Sequence, residues 1–174
     1  MILLAVKTKR YLAMMFLVSG LITSPSWASF STIESKQEDA GTVEHIQLAF
    51  EQLRDSEILE SSRVGFAGSL SHPMINLFWI LESPEAEELL LMLYDQGQLA
   101  AKMYAIIGMQ ILGQQDLVVD LVKDASQYKN EYLATMDGCI IDEQLVRDVL
   151  MSIRRGIYRQ MFDDERQNWS NAES

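Results

Sequence analysis

A single cysteine, two histidines and few basic residues set the first limits on this chain of 174 residues. One cysteine excludes an internal disulfide and any zinc site built from several thiolates. Fourteen Lys and Arg against 25 Asp and Glu leave a net charge of −11. That deficit argues against nucleic acid as the main partner, because phosphate binding needs clustered cationic surface. No convincing alternation of apolar and polar residues is present, so no strand is expected. Beyond the N-terminus, no apolar run approaches the roughly 20 residues that a spanning helix needs. What remains is 48% hydrophobic and 22% charged, the balance of a soluble globular protein of one domain.

The N-terminus carries the pattern of an export signal. Lys7, Lys9 and Arg10 precede an apolar stretch from Tyr11 to Ile22, and Pro25 follows. Ser26-Trp27-Ala28 then places small residues at −3 and −1 of a cleavage point before Ser29. Residues 1–28 are read as a signal peptide, with an uncleaved anchor as the alternative. The chain is therefore expected in the periplasm or outside the cell if the source is bacterial. Removing 28 of 174 residues leaves eleven basic residues against all 25 acidic ones, a net charge of −14.

Residues 29–41 are polar and aperiodic and read as a flexible lead-in. Residues 42–162 read as one helical domain, and 163–174 as a polar tail. Val43, Ile46, Phe50 and Leu53 recur on one helical face. Ser61 to Leu70 reads as a glycine-bearing loop. Ser71 is a helix N-cap candidate with Pro73 in the first turn, ahead of Met74, Leu77, Phe78 and Leu81. Ser83-Pro84 signals another start, and Glu85, Glu87 and Glu88 suit the positive end of a helix dipole. Gln98 to Leu112 is apolar nearly all round, as a buried central helix would be. Its Ala101, Ala105 and Gly108 form a small-residue seam. Asp116 to Ala125 is amphipathic, with Asp116, Asp120 and Asp124 on one side. Gly138 suggests a turn and Cys139-Ile140-Ile141 a short buried stretch. A last helix is expected from about Asp142 to Phe162, weakened at Gly156. The expected fold is all-α, a compact bundle of five or six mostly antiparallel helices.

The run SPEAEELLLMLYDQGQLAAKMYAIIGMQILGQQD, within Ser83 to Ala125, resembles a HEAT-like helical repeat. Two helices joined at Gly97, the second Ala-rich, are followed by a third packed behind. The resemblance implies a binding surface rather than catalysis and assigns no functional residue. No second copy recurs at the 40–47-residue period of such arrays, so a single bundle is expected rather than a solenoid.

Candidate chemistry is sparse. Cys139 with His45 or His72 could form a thiol–imidazole dyad, the basis of a hydrolase or redox reading, whereas its apolar neighbours favour a simply buried thiol. Asp116, Asp120 and Asp124 share one helix face, where two acids could help hold a divalent cation or form a solvated binding surface. No metal site and no cofactor are expected. Gly65-Phe66-Ala67-Gly68-Ser69 lacks the ending of a P-loop. Arg147, Arg154, Arg155, Arg159 and Arg166 polarise the chain: residues 147–166 hold five basic and four acidic residues, against six and twenty in 29–146. Those arginines either pair with the acidic body or offer Arg154 and Arg155 to anionic lipid or a second subunit. Asn168-Trp169-Ser170 matches a glycosylation sequon. The expected function is that of an exported, non-enzymatic interaction protein, an inhibitor or immunity-type protein whose acidic surface meets a basic partner. Self-association as a structural subunit, through the small-residue seam or an exposed apolar face, is a third reading.

Overall fold

The computed structural model describes the backbone of residues 40–172 and the side chains of 43–166. The expected leader and nearly all of the lead-in therefore lie outside the described residues, as do the side chains of the sequon. The chain runs α1 (Ala40–Arg54), β1 (Ile58–Val64), β2 (Ser69–Leu70), α2 (His72–Glu82), α3 (Ala86–Gln96), α4 (Leu99–Ile111), α5 (Gln115–Ala125), a 3₁₀ turn (Ser126–Tyr128), β3 (Tyr132–Gly138), β4 (Ile140–Leu145), α6 (Val146–Arg154) and α7 (Ile157–Ala172). The expected all-α bundle is thus corrected: the described residues form seven helices with a four-stranded mixed sheet.

The sheet order is β2-β1-β3-β4. β1 and β3 are parallel, joined by α2 to α5, while the two hairpins are antiparallel. Three features of these segments hid the strands. β1 buries Leu59 but also Ser61 and Ser62, so its interior is partly polar. β3 buries Leu133 and Thr135 yet places Tyr132, Ala134 and Met136 on its other face, which blurs the period of two. β4 is an edge strand, half-buried only at its last residue, Leu145.

The expected helix from Asp142 to Phe162 is broken twice. Its first four residues belong to β4, paired with β3 from Tyr132↔Leu145 to Asp137↔Ile140. Gly156 then adopts φ +76° and separates α6 from α7, a conformation that an L side chain takes only under strain. α7 continues past Phe162 to Ala172.

Other expectations hold. Ser71 Oγ accepts from the Met74 N–H at 3.3 Å, with Pro73 in the first turn. Gly97 ends α3, and Glu87 and Glu88 occupy that helix's first turn. Above all, α4 is the hub. Ala100, Ala101 and every residue from Met103 to Gln110 are buried, and the helix contacts every other helix among the described residues as well as β1 and β3. Gly108 lies against Leu90 of α3 and Leu77 of α2, so the small-residue seam works inside the chain and is closed to a second copy. Among the described residues, no helix is long and apolar enough to cross a membrane.

Candidate functional site

The three residues of the proposed dyad sit in separate surroundings. Cys139 occupies the turn between β3 and β4 and is exposed, which corrects the expectation that Cys139, Ile140 and Ile141 form a buried stretch. His45 projects from α1 and lies against Trp79 of α2, with ring centroids 5.3 Å apart and the planes tilted by 41°. His72 opens α2, where its charge favours the ionised form of Glu60. No hydrogen bond joins Cys139 to either imidazole among the described residues. Nor do three or more His, Cys, Asp or Glu side chains there form a group that could hold a metal ion.

The acidic stripe of α5 divides into two parts. Asp116 and Asp120 are exposed and make no ion pair among the described residues. Asp124 is an anchor: its Oδ2 accepts from the Tyr94 hydroxyl at 2.8 Å and from Gln127 Nε2 at 3.3 Å. Burial, and then the charge and hydrogen bond of Asp124, push the Tyr94 phenol far above its usual range. Lys102 Nζ donates to the Tyr94 carbonyl and lies 4.9 Å from the centre of the Tyr94 ring. Burial lowers the Lys102 ammonium, opposed by Asp95 and Asp124. This inner end of the stripe ties α5 to α3 and α4.

The basic strip is also divided. Arg159 pairs with Asp163 at 3.2 Å, Arg166 with Glu82 at 2.9 Å, and Arg147 approaches Asp148 at 3.6 Å. Arg63 of β1 forks onto both oxygens of Glu165 in α7, at 2.7 and 2.8 Å. Arg154 and Arg155 stay exposed at the end of α6, where cations suit the negative end of the helix dipole. They make no ion pair among the described residues.

The end of the sheet brings together two turns that no sequence pattern joins. Gly65 N–H donates to Gly138 O at 2.9 Å, so the turn of the β1–β2 hairpin adjoins the turn of β3–β4. Fully exposed Phe66 projects from the first turn; Cys139, Ile140 (71% exposed) and Ile141 (62% exposed) follow from the second. Asp137, Asp142 and Glu143 surround them, exposed and outside any ion pair among the described residues. The signal available was an aromatic residue between Gly65 and Gly68 and two isoleucines just after Gly138.

Strand β1 also carries a desolvated carboxyl. Glu60 is half-buried, and burial raises its carboxyl above the ordinary value of 4.5 despite the opposing pull of His72. A carboxyl raised in the folded state weakens the fold when ionised, and that penalty vanishes as pH falls below the unfolded value. Glu60→Gln should therefore raise Tm at neutral pH and leave it unchanged near about pH 4. Thermal melts at both pH values check this; a lower Tm at neutral pH would refute it.

Comparison with protein-family models, curated proteins and solved structures finds no match to this chain.

Proposed function

We propose that the chain is an exported binding protein that engages a cationic protein partner through its acidic exterior and performs no covalent chemistry. One observation carries this reading: Asp116, Asp120, Asp137, Asp142 and Glu143 are exposed and lie in no ion pair among the described residues. Solvated carboxylates of one sign add little to stability. They do generate a long-range field that speeds the approach of an oppositely charged partner. The excess of acidic over basic residues, 25 against 14, extends that field over the molecule. Export is supported by Lys7, Lys9 and Arg10 ahead of the apolar stretch and by the small residues before Ser29.

The test is kinetic. The partner is captured from an envelope fraction, and its association with the chain is followed by stopped flow across a salt series. The association rate constant should fall by at least about tenfold between low and high salt, as for a steered encounter. A rate constant independent of salt would remove the proposal.

A further inference from the structure

We infer that the outer edge of β4 is the docking site, and that it takes an extended segment of the partner in which two adjacent lysine or arginine residues are flanked by apolar residues. This rests on the reading that the partner is cationic and adds where and how it binds. Strand Ile140–Leu145 pairs with β3 on one side only. Its other edge is paired with no strand among the described residues, and only the Glu143 N–H there is held locally, by Asp142 Oδ1 at 2.8 Å. Such an edge is a template for one more strand, with main-chain hydrogen bonds giving affinity and alternate side chains giving selectivity.

The side chains of β4 select the occupant. Asp142 aligns with Thr135 and Glu143 with Ala134, so the two carboxylates lie on opposite faces of the sheet. A second copy added antiparallel and centred on Asp142 or on Glu143 would set that carboxylate opposite its own counterpart, placing like charges across the ladder. The same carboxylates therefore repel self-pairing and attract a cationic strand. At the tip of the strand, Ile140 and Ile141, 71% and 62% exposed, offer one apolar side chain to each face for the uncharged residues of the segment, with fully exposed Phe66 in the neighbouring turn. A strand with two adjacent basic residues, one on each face, followed by apolar residues, meets both carboxylates and the apolar tip together.

The test uses the full chain, with a decapeptide in which pairs of lysines alternate with pairs of valines as the probe and the same peptide with glutamate in place of lysine as the control. Titration followed by NMR should move the amides of β4 and of the Phe66 turn with the lysine peptide and not with the glutamate one. Asp142→Lys with Glu143→Lys should weaken binding at least about tenfold, since rim charges become repulsive. Asp116→Lys with Asp120→Lys changes the net charge equally and should weaken it less than about threefold. Melts of both double variants establish that each stays folded. Equal weakening by the two pairs would overturn the β4 assignment while leaving a cationic partner in place. Shifts centred on α5, no binding of the lysine peptide, or pairing of β4 with a second copy would also overturn it. Loss of salt dependence toward the captured partner would instead overturn the underlying reading.

Discussion

Tyr104→Ala should lower stability by about 4 kcal/mol, a fall in Tm of roughly 15 °C for a body of this size. Tyr104 is fully buried on the hub helix and meets Phe162 of α7 edge-on, with centroids 6.4 Å apart and an interplanar angle of 82°. Its hydroxyl accepts the Glu60 N–H at 2.7 Å, on the side of β1 that β2 is too short to cover. Truncation thus opens a cavity between α4 and α7 and strands a main-chain donor. Tyr104→Phe isolates the second effect: the ring stays, the donor loses its partner, and the expected loss is about 2 kcal/mol. Urea denaturation of both variants checks the pair. Equal losses for Ala and Phe would mean that ring packing contributes little; no loss for Phe would mean that the hydroxyl does not hold the strand.

Gly108→Val is expected to lower stability by about 3 kcal/mol. A Cβ at this position would lie 2.7 and 2.9 Å from the two terminal methyls of Leu90 and 3.2 Å from Leu77 Cδ1. Alanine meets the same contact but improves helix propensity by about 1 kcal/mol, so Gly108→Ala should come out near neutral. Valine adds two methyl groups to the same crowded spot and gains less in propensity. The contrast between the two variants separates packing from propensity, and thermal melts measure it. Valine tolerated as well as alanine would show that α2 and α3 do not close on α4 at Gly108.

The helices were legible because their signals are local or strongly periodic. Ser71 with Pro73, the stop at Gly97 and the unbroken apolar surface of Gln98 to Leu112 each state their structure within one or two turns. The sheet was not legible, for reasons visible in its residues. Ser61, Ser62 and Thr135 occupy interior positions where an apolar residue is the usual sign of a strand. Ile140 and Ile141 read as core but lie on an exposed edge. The helical spacing of Val146, Val149, Leu150 and Ile153 drew the expected helix start back into β4. Parallel pairing of β1 with β3 joins residues more than seventy positions apart, as in Ile58↔Ala134, which no local window contains.

The candidate site divides on the same line. The acidic bias and the α5 stripe follow from composition and a helical period, and Asp116 and Asp120 are exposed as a solvated face requires. The bond from Tyr94 to Asp124 spans two helices and has no local signature. The cluster at the sheet end exists only because Gly65 and Gly138 meet. Exposure of Cys139 follows from the same topology, since a thiol in the turn of an edge hairpin has no core to enter.

Residue-resolved hydrogen exchange of the intact chain tests most directly whether α4 is a buried hub with the sheet laid against it. Amides of Met103 to Gln110 and of Leu133 to Thr135 should exchange last and together, through global unfolding, with the turns at Gly65–Gly68 and Cys139 exchanging far sooner. Exchange of Leu133 to Thr135 at the rate of those turns, while α4 stays protected, would contradict the sheet; rapid exchange throughout α4 would contradict the hub.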